Sequence, residues 1–190
     1  MTAKKHKPTE QIHGLIKNLD YSLRLKNVKT LGVFSDKQGE GKSTFICTCV
    51  PLMAKIYKKK ILVLDMSTVK SDEVKRYFTL DPNAENQLNS RFQGVDYISH
   101  NLINQLNTSD VLTSDAKVST YLRDTAKLYD LVVVNTNTLR RAEKTIFPEI
   151  KFDGAVLLRT EETVGEESVM VNEIIDRNIP IVGTIHNEGL

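Results

Sequence analysis

The chain has little cysteine, no tryptophan and almost no excess of charge of either sign. Tryptophan is absent, and only two cysteines, Cys47 and Cys49, occur among 190 residues. This spacing, with no further cysteine or histidine set nearby, excludes a disulfide framework or a zinc site, so we expect buried free thiols in a reducing compartment. The formal net charge of +2 is too small to indicate nucleic acid as a partner.

Long hydrophobic runs are also missing. No stretch reaches the roughly 18–20 apolar residues that a membrane-spanning helix needs. Residues 1–8 are basic and no apolar segment follows them, so we expect a short flexible tail rather than a signal peptide. The ordinary balance of 40% hydrophobic and 26% charged residues predicts that 9–190 fold as a single cytoplasmic domain.

Short apolar runs alternate with helical patterns along the chain. Strands are predicted over 30–35, 58–65, 94–99, 129–135, 152–160 and 179–187, and helices over 9–25, 42–57, 71–80, 109–128, about 139–148 and 166–178. Residues 81–94 are polar and are predicted to form a loop. Four residues are expected on the apolar side of the last helix: Val169, Val171, Ile174 and Ile175. The alternation predicts an α/β fold, a mostly parallel sheet with helices on both faces.

A glycine-rich loop follows the first predicted strand. Residues 35–45 read SDKQGEGKSTF, which keeps most of the phosphate-loop pattern G-x-x-x-x-G-K-[ST] but has Asp36 in place of its first glycine. Between a strand and a helix, such a loop predicts a P-loop NTPase-like fold that binds ATP or ADP with Mg²⁺. The nucleotide-binding residues expected in the loop are Lys37, Gly39, Glu40, Gly41, Lys42, Ser43 and Thr44.

Residues of the loop have separate expected roles. Gly39 and Gly41 let the backbone curl so that several N–H groups point at one anion, and the Lys42 ammonium neutralises phosphate charge. The Ser43 hydroxyl is the expected direct magnesium ligand. Thr44 is predicted to begin the helix whose N-terminal dipole favours phosphate.

Polar residues end three other predicted strands, namely Asp65, Asn135 and Asn187. Ligands of parallel α/β sheets bind at the carboxyl ends of the strands. The glycine-rich loop and these three side chains are therefore predicted to lie at the same edge of the sheet.

Together these motifs resemble the cytoplasmic ATPase domain of the bacterial tyrosine kinases, P-loop autokinases that act with a membrane partner in polysaccharide export. The resemblance covers nearly the whole chain and rests on SDKQGEGKST, ILVLD (61–65), YDLVVVNTN (129–137), FDGAVLLRTEET and IPIVGTIHN. It implies catalytic roles for Asp65 and Lys42, a magnesium site at Ser43 and Asp65, and contact between Asn187 and adenine. It further implies a membrane-bound polysaccharide polymerisation or export protein as partner.

The chain departs from this family at positions that carry charge. The family's second acidic motif reads Asp-x-Asp-x-Arg, whereas this chain keeps Asp65 but has Ser67 and Val69. The later strand ends in Asn135 instead of aspartate, and the family's C-terminal tyrosine cluster is absent. Phosphoryl transfer depends on precisely placed charge. The sequence therefore predicts a degenerate member that binds nucleotide with weak or no turnover and acts as a regulatory or scaffolding component of polysaccharide biosynthesis.

Several alternatives stay open from the sequence. One is an active autokinase or ATPase of the same family. Another is a dimeric switch of the partition or positioning type, since Lys37 and Lys42 give the K-x-G-x-G-K-S spacing of deviant P-loops, in which the earlier lysine reaches nucleotide across a dimer. A third is an interaction module that binds no nucleotide. Replacement of the family's assembly arginines by His13 and Ile16 argues against a ring and leaves monomer and dimer open.

Overall fold

A computed structural model describes residues 8–66, 73–80, 90–99, 114–136, 151–161, 163 and 168–188 of the chain. The described helices are α1 (Pro8–Leu25), α2 (Lys42–Tyr57), α3 (Glu73–Phe78), α4 (Ser114–Thr125) and α5 (Val169–Asp176). The strands are β1 (Thr30–Ser35), β2 (Ile61–Asp65), β3 (Val95–Ser99), β4 (Leu131–Asn135), β5 (Gly154–Thr160) and β6 (Ile181–Asn187). A short 3-10 helix (Ala126–Leu128) extends α4.

The strands of the described residues form one six-stranded sheet in the order β3-β2-β4-β1-β5-β6, and every neighbouring pair is parallel. Because all these strands run the same way, their carboxyl ends lie at one edge of the sheet. The register places Asp65, at the end of β2, opposite Asn135, at the end of β4. The predicted P-loop NTPase-like α/β fold is thus confirmed.

Helices cover both faces of this sheet. The hydrophobic core on one face contains residues of α1, α2 and α3, including Ile16, Ile46 and Phe78. The core on the other face contains Leu122 of α4 and Met170 of α5. Successive side chains of a strand point to opposite faces, so a strand between two helical layers must be apolar at every position. This requirement explains the continuous apolar runs at 61–64 and 131–134.

The apolar side predicted for the last helix is confirmed for Ile174 and Val171, which pack against the core, and is wrong for Val169 and Ile175. Helix α5 buries Met170 and Ile174, whereas Val169 and Ile175 are 59% and 58% exposed. Met170 and Ile174 are four residues apart and therefore share one side of the helix. Packing against the sheet determines which side of α5 is buried, and the number of apolar residues on each side of the helix does not.

Some predicted boundaries also shift. Helix α2 spans Lys42–Tyr57, the range predicted for it. Gly41, in a left-handed conformation, ends the loop and serves as its N-cap, so Thr44 lies within the first turn and does not begin the helix. Helix α1 begins at Pro8, at the end of the predicted tail. The helix predicted near 139–148, most of the polar segment 81–94, and the positions Ser67 and Val69 lie outside the described residues.

Candidate nucleotide-binding site

The loop between β1 and α2 has the backbone geometry of an anion cradle. Gly39 and Gly41 have φ angles of 89° and 94°, in the left-handed region that glycine adopts without strain. A Cβ at Gly41 would lie 2.6 Å from Nδ2 of Asn187, so a side chain there would displace the Asn187 amide. No side chain caps the start of α2, so N–H groups of its first turn are oriented toward an external anion.

The Lys42 side chain lies against the end of β1. Its Nζ atom donates a hydrogen bond of 2.5 Å to Oγ of Ser35, and the Ser35 hydroxyl donates to the Lys37 carbonyl over 2.9 Å. Burial lowers the pKa of Lys42 from 10.5 to about 8, although the nearby Glu40 carboxylate acts in the opposite direction. A phosphate at this position would supply the negative charge that stabilises the ammonium. Ser35 was not among the predicted site residues, although its position at the end of a strand could have indicated it.

Glu40 holds the loop in shape. Its side chain is buried, and the two carboxylate oxygens accept hydrogen bonds from the Lys37 N–H at 2.8 Å and from the Thr163 hydroxyl at 2.6 Å. The Glu40 carbonyl lies 3.4 Å from Nδ2 of Asn187, which is at the end of β6. Glu40 therefore connects the loop to the segment after β5, and Asn187 connects it to the edge strand.

Asp36, which replaces the usual first glycine, fixes the loop to α5. Its Oδ1 atom accepts hydrogen bonds from Oγ of Ser168 at 2.8 Å and from the Met170 N–H at 3.1 Å. Its Oδ2 atom lies 3.8 Å from Nε of Arg159. Ser168 is in turn the N-cap of α5. A carboxylate at this position thus performs a structural task that glycine could not, and sequence reasoning missed it because the partners are distant in the chain.

Asp65 and Asn135 form a buried polar pair at the carboxyl ends of β2 and β4. Asn135 Nδ2 donates to Oδ1 of Asp65 over 2.9 Å, and the Tyr97 hydroxyl donates to Oδ2 over 3.3 Å. The Asn135 Oδ1 atom is buried and has no hydrogen-bond partner within the described ranges. Such an oxygen is a suitable acceptor for a magnesium-bound water, and magnesium prefers oxygen ligands. The Asp65–Asn135 pair, with one carboxylate and one amide oxygen, is better suited to bind a cation through its water molecules than to coordinate it directly.

The other predicted residues lie close to the same edge. Ser43 is half-buried and Thr44 exposed, both in the first turn of α2. A cavity of about 330 Å³ beside the loop is lined by Lys37, Gly39, Glu40, Thr160, Glu161 and Asn187, among others. The structure thus brings Asn187 and the glycine-rich loop to one cavity. Among the described residues, no group of three or more histidine, cysteine, aspartate or glutamate residues is arranged to hold a metal ion.

Sheet order and loop geometry define the chain as a P-loop NTPase-like α/β protein. It is similar in structure to the BceF tyrosine kinase domain, with 17% identity and a TM-score of 0.66 over 94% of this chain and 76% of that chain. The kinase domain of the Escherichia coli tyrosine kinase ETK gives 14% identity and a TM-score of 0.63 over 94% and 74% of the two chains.

A third similar structure is a protein from Borrelia burgdorferi B31, proposed to act in plasmid partition and bound to AMPPNP. It is 20% identical, with a TM-score of 0.54 over 85% of this chain and 77% of that chain. No protein-family model and no curated protein matches the sequence. These likenesses confirm, at the level of the fold, the resemblance to bacterial tyrosine kinase domains. None of the helices described is both long and apolar enough to cross a membrane.

Proposed function

We propose that the chain is a degenerate relative of the bacterial tyrosine kinases that holds ATP or ADP and turns it over weakly or not at all. The observation that carries this proposal is the contact between Asn135 and Asp65. A neutral amide stands where the kinase family has a carboxylate, and it attracts magnesium and its waters less strongly. Its N–H group also engages one oxygen of Asp65, the acidic residue that the chain retains at this edge.

The geometry of the loop supports the nucleotide-binding part of the proposal. The backbone around Gly39 and Gly41 would hold phosphate oxygens, Lys42 would exchange its bond to Ser35 for a phosphate, and Ser43 would offer its hydroxyl to Mg²⁺. Magnesium, when bound, would neutralise phosphate charge. Asp65 would orient the water shell of the ion.

The biological role follows from binding without efficient turnover. A site that distinguishes ATP, ADP and the empty state can bias the surface presented to a partner. By the fold resemblance, that partner is a membrane-bound protein of polysaccharide polymerisation or export, met on its cytoplasmic side. The chain would then act there as a regulatory or scaffolding component, as a monomer or a homo-oligomer.

Calorimetric titration with ATP and ADP, each with and without Mg²⁺, tests the proposal when phosphate release is followed in the same samples. We expect binding without appreciable phosphate release. Lys42→Ala should weaken binding at least about tenfold, which corresponds to about 1.4 kcal/mol. Lys17→Ala, which removes an exposed lysine of α1, is the matched control and should leave binding unchanged.

Two results would contradict separate parts of the proposal. Sustained phosphate release that disappears in Asp65→Ala would mean that the enzyme is active despite Asn135. Failure of both nucleotides to bind would leave the loop as a relic in an interaction module.

A dimeric ATPase switch is the second candidate, and the position of Lys37 favours it. The Lys37 backbone is fixed by Glu40, while its side chain is exposed at the cavity beside the loop. Such a lysine is placed to reach nucleotide in a facing subunit. Light scattering with ATP and Mg²⁺ should then show a dimer that Lys37→Ala abolishes and Lys17→Ala preserves. A chain that stays monomeric with bound ATP excludes this candidate.

A further inference from the structure

A second, larger cavity lies at the opposite edge of the sheet from the P-loop. It has a volume of about 810 Å³ and is bounded by the last turns of α2, the lysines before β2, and the residues before β3. Its apolar lining includes Pro51, Leu52 and Ala54. We call it the lysine pocket, because Lys55, Lys58, Lys59 and Lys60 also line it. Since β2 and β3 begin here, the lysine pocket is separate from the nucleotide site at their carboxyl ends.

One wall of the lysine pocket is aromatic and anchored in the core. Tyr77 and Phe92 stack with ring centroids 5.1 Å apart and an angle of 26° between the rings. Phe92 also makes an edge contact with Phe78, which is fully buried, at 5.8 Å. Tyr77 remains 38% exposed. The exposed part of the Tyr77 ring is therefore accessible to a ligand, while Phe92 and Phe78 fix the ring against the core.

Four lysines line the pocket, and within the described residues two of them, Lys55 and Lys58, form neither an ion pair nor a contact with an aromatic ring. Lys59 pairs with Asp20 over 2.5 Å, and Nζ of Lys60 lies 4.6 Å from the ring centre of Tyr129. Lys55 and Lys58 are exposed, and neither forms an ion pair within the part of the chain that the structure describes. None of the described residues that line the cavity is an aspartate or a glutamate.

The helix dipole explains only part of this pattern. Cations are favoured at a helix C-terminus, and Lys55 and Lys58 occupy the last turn and the C-cap of α2. The dipole does not require an apolar cavity with an aromatic wall beside them. A pocket that receives an apolar anchor, with charges at its rim that steer and orient the ligand, is the usual arrangement at a protein–peptide interface.

We propose that the lysine pocket binds an acidic peptide segment of a partner protein. An aromatic or aliphatic side chain of that segment would pack against Leu52 and the Tyr77–Phe92 wall, while flanking carboxylates meet Lys55 and Lys58. A lipid surface fits less well, because membrane binding uses apolar side chains that protrude, whereas the apolar atoms here line a cavity. The lysine pocket does not overlap the P-loop, so this interaction does not depend on the nucleotide proposal.

Selection from a phage-displayed library of random 12-residue peptides tests the chemistry without a known partner. The full chain is the bait, and a chain with Lys55→Glu and Lys58→Glu is the counter-bait. We expect enriched peptides that carry several acidic residues around one apolar anchor. Synthetic versions should bind with an affinity that falls at least about tenfold in the double variant and also falls as salt rises.

Matched variants separate this site from general charge effects. Lys17→Glu with Lys127→Glu makes the same change of charge on exposed lysines that do not line the pocket, and it should retain peptide binding. Tyr77→Ala should weaken binding without changing charge. Lys55→Gln with Lys58→Gln replaces the reversal variant if that variant does not fold. Lys42→Ala should bind the peptides normally even if it no longer binds nucleotide.

Three outcomes would overturn the proposal. The first is a selection that enriches no acidic, anchored peptide. The second is enrichment of such peptides that the double variant binds as well as the original chain. The third is binding to phosphatidylserine vesicles that the double variant loses, when no peptide is enriched, because the pocket would then be a lipid site.

Discussion

Asn135 donates a hydrogen bond from Nδ2 to Oδ1 of Asp65 over 2.9 Å, between residues that the parallel register places side by side. Two carboxylates at these positions would repel each other unless a proton or a cation lay near them. The amide removes this repulsion and supplies a donor. The edge of the sheet can therefore be stable without metal, which separates folding from magnesium binding.

We predict that Asn135→Asp makes the chain depend on magnesium. The variant loses the hydrogen bond and gains a buried negative charge, so without Mg²⁺ its free energy of unfolding should fall by roughly 1–3 kcal/mol. Mg²⁺ with ADP should recover more thermal stability in the variant than in the original chain. Phosphate release from ATP should rise by about tenfold or more, which corresponds to about 1.4 kcal/mol in the barrier.

Asn135→Ala is the control for this prediction. It removes the amide but adds no charge, so we expect destabilisation without any gain in the magnesium response or in phosphate release. If Asn135→Asp and Asn135→Ala respond alike to Mg²⁺, the residue at this position does not govern metal binding.

A second prediction concerns the pH dependence of nucleotide binding. The pKa of Lys42 is lowered to about 8 by burial, and a bound phosphate would raise it again. Binding should therefore take up a proton at and above about pH 8, and affinity should fall as the pH rises through the pKa of the free chain. Calorimetry in two buffers with different ionisation enthalpies measures this proton uptake directly.

Without nucleotide, Lys42 should have the opposite effect on folding: its contribution to the free energy of unfolding should rise with pH, whereas the affinity for nucleotide falls. Lys42 has a lower pKa in the folded chain than in the unfolded chain, so the unfolded chain binds more protons between about pH 8 and pH 10.5. The contribution of Lys42 to the free energy of unfolding therefore rises with pH across this interval. Lys42→Arg keeps its charge throughout, and neither trend should remain in that variant. Proton uptake by wild type that stays at zero near pH 8.5 would place the phosphates away from Lys42.

The elements that the sequence predicted best are the continuous apolar strands. The apolar runs at 61–64 and 131–134 belong to strands that are buried on both faces, so strand type and parallel packing could be predicted from them. The buried side of helix α5 was harder to predict because its apolar residues are distributed all around the helix. Only the position of the sheet shows that Met170 faces inward and Val169 outward.

In the candidate site, too, some features could be predicted from the sequence and others could not. The glycine-rich loop was recognisable because its function is local and depends on backbone conformations that few residues adopt. The contacts of Asp36 with Ser168, and of Glu40 with Thr163, join residues more than 120 positions apart. No spacing rule within the loop could have indicated them. The sequence shows that Asn135 replaces a charged residue, but only the register of β2 and β4 shows its hydrogen bond to Asp65.

A third prediction concerns the cysteines. Burial raises the pKa of both Cys47 and Cys49 to about 12, and the carboxylates of Asp65 and Glu73 add to the effect at Cys47. Because thiolates are the reactive form, both should react with a disulfide reagent at least about 30-fold more slowly in the folded chain than in denaturant. Lys17→Cys provides an exposed thiol for comparison and should react rapidly. Rapid reaction of two thiols in the folded original chain would contradict the prediction.

A fourth prediction concerns Asp36. Asp36→Gly restores the usual phosphate-loop glycine but removes the acceptor for Ser168 and the Met170 N–H, and leaves Arg159 without this carboxylate. Hydrogen bonds to a charged group each contribute about 1.5–3 kcal/mol. We therefore expect the free energy of unfolding in urea to fall by about 2–4 kcal/mol, although the new residue matches the common motif.

Two further variants identify which contact of Asp36 is responsible. Asp36→Asn keeps an acceptor for α5 and loses only the charge, so it should be less destabilising than Asp36→Gly. Ser168→Ala removes the N-cap of α5 and one donor to Asp36, at a cost of about 1 kcal/mol or more. Adding Ser168→Ala to Asp36→Gly should cost less than it does alone, because the shared hydrogen bond is already lost. Strictly additive costs, or a stabilising Asp36→Gly, would show that Asp36 does not hold the loop against α5.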